Sequence, residues 1–89
     1  MKTLVFSTQY KKDYKRYRNN PQKMAALLSV LQMLANEQPL PEKLHPHMLT
    51  GNYLGCMECH IGSDFLLIWM DENTNVIRLL RLGSHSELF

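Results

Sequence analysis

The sequence predicts an α+β domain of order β-α-α-β-β-β, two N-terminal helices packed on one face of a mostly antiparallel sheet. Three observations predict it. A short β-branched run opens the chain, and two segments of helical period follow it. A proline-punctuated connection then leads into a closing set of strand-like runs. With 89 residues there is room for one core, so residues 1–89 are expected to form a single domain.

Lys2 to Phe6 reads as the first strand. Ser7 or Thr8 then caps a helix, its hydroxyl accepting a free backbone N–H. Tyr10, Tyr14 and Tyr17 follow at i, i+4 and i+7 as one stripe, with lysines and arginines on the other faces. Asn19 and Asn20 end this helix, and Pro21 suits the first turn of the next. The second helix places Met24, Leu27, Leu28, Leu31 and Leu34 on one face and stops near Asn36. Residues 37–52 are a connection carrying Pro39, Pro41, Pro46 and Gly51. Strands are expected at Tyr53–Ile61, Phe65–Met70 and Val76–Leu82, joined at Gly62-Ser63 and at Asp71 to Asn75 by hairpin turns.

No apolar run approaches the ~20 residues needed to span a bilayer. The opening apolar run ends at Phe6, too soon for a secretory signal. A cytoplasmic chain with no membrane partner and two reduced cysteines is the expectation. The net charge of +2 is unevenly spread: residues 1–44 hold eight Lys/Arg against three Asp/Glu, residues 45–89 two against five. The surplus gathers at Lys11, Lys12, Lys15, Arg16, Arg18 and Lys23. Such clustering implies nucleic acid or an acidic protein as partner, or else a merely solvated helix face.

Cys56, Cys59 and His60 match the Cys-x-x-Cys-His string that attaches c-type haem. Haem attachment needs export and a loop or helix there, whereas this segment alternates like a strand. In a strand Cys56 and Cys59 point to opposite faces, which also weakens a redox dithiol or a zinc site. Two small buried or half-buried thiols are the expectation. The same parity puts Tyr53, Met57, Cys59 and Ile61 toward the core. Cys56, Glu58 and His60 go to the other face, so Glu58 and His60 stand side by side.

His47, His60, Asp64, Arg81 and His85 fall within the last 43 residues. Imidazoles exchange protons near neutral pH, and an arginine fork holds phosphate. Together they suggest phosphodiester cleavage by acid and base, with no metal and no cofactor.

From Leu44 onward the chain resembles the YafQ branch of the RelE-like bacterial toxins, small ribosome-dependent ribonucleases of type II toxin–antitoxin modules. The likeness rests on His47-Met-Leu-Thr-Gly51, on Glu58-Cys-His60, and on Asp64-Phe65 followed by Leu-Leu-Ile-Trp. It is completed by Arg81-Leu-Gly-Ser-His85 with a closing Leu88-Phe89. These are similar to the family's His-x-Leu-x-Gly, Asp-x-His, Asp-Trp and Arg-x-Gly-[Ser/Thr]-His with Leu-Phe, in the same order. Two departures stand out: Glu58 replaces the usual aspartate, and Phe65 the usual tryptophan.

The resemblance implies a RelE-like fold and mRNA cleavage through attack of a ribose 2′-OH. It makes His85 the general acid and Arg81 the phosphate clamp, with His47, His60 and Asp64 supplying the base and its orientation. Glu58 belongs to the same set. Phe65 or Phe89 would stack on a base, and Lys11, Lys12, Lys15, Arg16 and Arg18 would meet RNA. The implied partners are a cognate inhibitory antitoxin, the ribosome with its mRNA, and operator DNA reached through the antitoxin.

Plainer roles stand beside these. Arg81 can pair with Asp64 or Glu87, Phe65 fits the sheet core, and the tyrosine stripe fits the core as well as a stacking platform. A catalytically silent RelE-fold protein that binds antitoxin and DNA in autoregulation is the alternative function, and a small haem protein a third.

Overall fold

A computed structural model describes residues 1–89. Thr3–Phe6 (β1) leads directly into Thr8–Tyr17 (α1) and Pro21–Ala35 (α2). The connection holds 3-10 turns at Glu42–Leu44 and Gly51–Tyr53, with the two-residue strand His47–Met48 (β2) between them. Met57–Gly62 (β3), Phe65–Asp71 (β4) and Val76–Gly83 (β5) follow, and His85–Leu88 (α3) ends the fold. The strand order is β1-β5-β4-β3-β2, parallel between β1 and β5 and antiparallel elsewhere. No helix is long and apolar enough to cross a membrane.

Both helix starts are set by their expected caps. Ser7 Oγ accepts the Tyr10 N–H, Asn20 accepts that of Lys23, and Pro21 occupies the first turn of α2. The buried stripe of α1 differs from expectation. It is Tyr10 and Asp13, with Tyr17 half-buried on the same side, while Tyr14 turns outward and extends an aromatic ladder from Phe6 through Tyr10. On α2, Leu27, Val30 and Leu34 are buried. Leu28 is exposed, because it lies about 100° around the helix from Leu27.

These helices cover one sheet face. Tyr10, Leu27, Val30 and Leu34 pack on Cys59, Ile61, Phe65, Leu67, Trp69, Ile77, Leu79 and Leu82. The opposite face carries a smaller cluster of Cys56, Leu66, Ile68 and Leu88, flanked by Leu49, Tyr53, Met70 and Leu80. The two cysteines therefore lie in different clusters, as the strand parity anticipated.

The expected strand Tyr53–Ile61 begins later, at Met57. Gly51 and Gly55 take φ of 70° and 88°, which a strand does not allow, and the chain turns there instead. Tyr53 consequently joins the smaller cluster rather than the main core. Short β2 and α3 were not anticipated. β2 is two residues in a proline-rich connection, too short to show a period.

The open edge of β5 is closed in an unusual way. β1 pairs only with Val76 to Leu79, so on that edge Leu80 to Gly83 continue past it without a strand partner. Ser7 N–H and Oγ donate to the Leu79 and Leu80 carbonyls, and the Leu82 N–H donates to Asp13 Oδ2 at 3.0 Å. A helix carboxylate thus stands where a neighbouring strand would accept a ladder bond.

Candidate active site

Sheet register assembles the site. His47 lies opposite Glu58, Glu58 opposite Ile68, and Ile68 opposite Arg81, forming one row across four strands. His60, Leu66 and Gly83 form the adjacent row. Residues directly opposite one another project from the same face, so His47, Glu58, His60 and Arg81 all leave the face that carries Leu66 and Ile68. The helices α1 and α2 cover the other face; this one is covered only in part, by residues such as Leu49, Tyr53 and Leu88, and stays open at the imidazoles.

Glu58 is 2% exposed, a carboxylate buried at the centre of that face. Its Oε1 is 3.3 Å from His47 Nε2 and 3.5 Å from His60 Nε2, and its Oε2 is buried with no partner. A buried carboxylate is costly unless paired, so the two imidazoles supply what solvent does not. His47 Nδ1 lies 2.8 Å from the His45 carbonyl. A carbonyl only accepts, so Nδ1 donates the proton and Nε2 is left to exchange one with Glu58. The imidazole rings keep 33% and 43% of their side-chain surface and reach solvent above the buried charge.

Arg81 pairs with neither Asp64 nor Glu87. Its Nε and Nη2 donate to Asp13 at 2.8 and 3.4 Å, and Nη1 donates to the Tyr53 hydroxyl at 3.3 Å. The hydrogen bond to Asp13 is the main reason the guanidinium is held above its ordinary pKa. Asp13 is fully buried and also accepts from Gln9 and the Leu82 N–H. The fork is thus anchored on one side and turned toward Tyr53 on the other.

His85 opens α3. Ser84 caps this turn, and Glu87 closes a capping box onto the Ser84 N–H. Glu87 also accepts from the Tyr17 hydroxyl and pairs with Arg16 at 3.0 Å, tying α3 to α1. The Ser84 backbone N–H, followed by the Tyr17 hydroxyl, pulls its carboxyl down to about 2. Tyr17 is pushed up to about 12, by burial first and then by Glu87. A Cβ on Gly83 would lie 2.8 Å from Glu87 Oε1, so glycine there lets the box close. The Ser-x-x-Glu spacing of Ser84 and Glu87 is a signal in the sequence that could have revealed this unanticipated helix.

Asp64 is brought to this turn and not to the imidazole pair: its Oδ1 accepts the His85 N–H at 2.8 Å. That hydrogen bond ties the Asp64 turn to the start of α3. The His85 ring lies 5.0 Å from that of Phe89, which packs edge-on to Tyr53 at 5.5 Å. Phe89 is 55% exposed and offers a free aromatic face. Phe65 does not. It is 1% exposed, enclosed by Tyr17 at 4.8 Å and Lys23 Nζ at 4.7 Å, so it is core and no base can stack on it.

Two groups therefore share one face: His47, His60 and Glu58, and then Arg81, Tyr53, His85 and Phe89. The basic residues divide. Arg16 is held against α3 by Glu87, whereas Lys11, Lys15 and Arg18 line a groove with Phe6, Tyr10, Tyr14 and Leu31 beside β1, at the opposite edge of the sheet. Lys12 is exposed. Asp13, Tyr53 and His45 are the site residues that sequence did not supply.

The fold is that of a RelE-like toxin. YafQ of Escherichia coli, solved in complex with the DinJ antitoxin, matches with a TM-score of 0.88 and 28% identity, covering 100% of this chain and 99% of that one. A metal-bound toxin from Helicobacter pylori matches at 0.88 and 40% identity over 100% of both chains. The mRNA interferase toxin YafQ of Escherichia coli K12 is 31% identical over 87 residues, 97% of this chain and 94% of its own length. Residues 2–89 match the family described as the bacterial toxin of a type II toxin–antitoxin system, YafQ, and the chain belongs to that family. As for the metal of the Helicobacter relative, no three His, Cys, Asp or Glu side chains here are placed to hold one.

Proposed function

We propose that the chain is the toxin of a type II toxin–antitoxin pair and an endoribonuclease that cleaves mRNA on the ribosome. The observation that carries this is the buried Glu58 carboxylate set between the Nε2 atoms of His47 and His60. Such a carboxylate keeps an imidazole oriented and able to accept a proton. One of the two takes the proton of a ribose 2′-OH, and the 2′-oxygen attacks phosphorus. His85 protonates the departing 5′-oxygen, leaving a 2′,3′-cyclic phosphate. Arg81, anchored on Asp13, faces the developing phosphorane charge, where such a group lowers the barrier most. Phe89 stacks on a neighbouring base. No residue of this scheme needs a metal.

The relatives named mRNA interferase and the DinJ–YafQ complexes support the reading. The complexes support a cognate antitoxin as partner. We propose further that it holds the toxin inactive and carries it to operator DNA. The basic face of α1 suits ribosomal RNA or an acidic antitoxin.

The test is primer extension on an mRNA in a cell-free translation system. Discrete in-frame cuts are expected from the natural protein, and a loss of about 10²–10⁴-fold from His85→Gln. Absence of cuts by the folded natural protein would shift the function to a silent antitoxin-binding relative.

A further inference from the structure

His45 has no part in the proposed cleavage, yet the structure sets it against both imidazoles that share Glu58. It caps the 3-10 turn Glu42–Leu44 in the left-handed region, at φ 51° and ψ 55°. That conformation is strained for a residue with a side chain, and the following Pro46 disfavours it further. The strained backbone has a visible result: it aims the His45 carbonyl at His47 Nδ1, 2.8 Å away. The ring of His45 is not idle either. Its centroid lies 4.6 Å from that of His47, tilted by 40°, and 5.6 Å from that of His60, edge to face at 88°. His47 and His60 are themselves 6.2 Å apart.

A single residue therefore touches both imidazoles that share Glu58, one through its carbonyl and ring, the other through its ring. Neither His47 nor His60 is clamped from its solvent side by a buried group, as they keep 33% and 43% of their side-chain surface. Glu58 gives each a contact longer than 3.2 Å. Without a brace, two half-exposed rings above one carboxylate would rotate among several orientations.

We propose that His45 is a positioning residue for RNA cleavage. Its carbonyl fixes the proton of His47 on Nδ1, and its imidazole braces the His47 and His60 rings over Glu58. This rests on the assignment of His47 and His60 to proton transfer. The brace acts through those two residues and touches no RNA, so its loss lowers kcat and leaves KM unchanged.

The experiment measures mRNA cleavage on ribosomes for His45→Asn, His45→Phe, His47→Gln, His60→Gln and His45→Asn/His47→Gln. Asparagine tolerates the left-handed backbone and keeps the carbonyl while removing the ring. Phenylalanine restores a ring that carries no proton. Circular dichroism and melting temperature report folding for each. We expect His45→Asn to lower kcat roughly tenfold with KM unchanged, the scale of a small misplacement of a catalytic group. His45→Phe recovers most of that loss. In the His47→Gln background the asparagine change has a smaller further effect, transmitted through His60 alone, since coupled residues are not additive.

Three results would overturn the brace: cleavage by His45→Asn within twofold of the natural protein, a rise in KM in place of the fall in kcat, or the same tenfold loss in both backgrounds. A folded His47→Gln and a folded His60→Gln that cleave normally would instead remove the reading on which it rests.

Discussion

Asp13 gives the sharpest test of how the fold holds its site. Asp13→Ala strips the acceptor from the buried Leu82 N–H and from two nitrogens of Arg81. A buried N–H without an acceptor costs about 1–3 kcal/mol. Removing one partner of a buried ion pair costs about 3–5 kcal/mol. Arg81 keeps 20% of its side chain exposed, and its Nη1 still reaches Tyr53, so water and Tyr53 recover part of the second loss. Together they give about 3–4 kcal/mol, against a total stability of about 5–13 kcal/mol for a domain of this length. At ~4–8 °C per kcal/mol, the melting temperature falls by at least about 12 °C. Asp13→Asn retains an oxygen for Leu82 and costs about 1–2 kcal/mol. The assay is urea unfolding followed by circular dichroism, with slopes checked for equality so that midpoints report stability. Adding Arg81→Met to Asp13→Ala should restore part of the loss, because the stranded guanidinium is then gone. A cost below about 1 kcal/mol for Asp13→Ala would refute the claim that this carboxylate replaces a strand neighbour.

Two further outcomes follow from the carboxylates. Glu58→Gln keeps the shape but removes the charge between the imidazoles, so cleavage falls about 10²-fold or more while the melting temperature holds or rises; wild-type cleavage rates from this variant would show the pair working without it. Glu87 is depressed from 4.5 to about 2. Its contribution to stability is therefore complete above pH 4.5 and disappears as pH falls toward 2. Unfolding free energies measured from pH 7 to 2 should separate the natural protein from Glu87→Gln at neutral pH and converge at the acid end; a gap that persists at pH 2 would mean the depression has another owner.

The order of elements and the family resemblance were legible because periodicity and a set of ordered motifs survive in a single sequence. The apolar β runs, the caps at Ser7 and Asn20 and the parity of Glu58 with His60 all rest on local rules. What escaped was tertiary. Asp13 is one carboxylate among lysines and reads as solvated. Only the overrun of β5 past β1 makes it a ladder acceptor. Tyr53 was assigned to the core by alternation, but the positive φ of Gly55 ends the alternation before Met57. Asp64 carries a family role in sequence, yet the hairpin turn it sits in, at φ 49°, delivers it to the His85 N–H. His45 matched no family position and became visible only when a two-residue strand brought its neighbour His47 beside Glu58.

The consecutive residues Glu58, Cys59 and His60 alternate between the open face and the main core. Were β3 to pair with β4 one residue out of step, Glu58 and His60 would enter the apolar layer and Cys59 would stand alone among the imidazole positions. Such a molecule would be both unstable and chemically blank. Errors in assembling this protein thus yield inert chains and not weakly active ones, a form of proofreading written into the order of three residues.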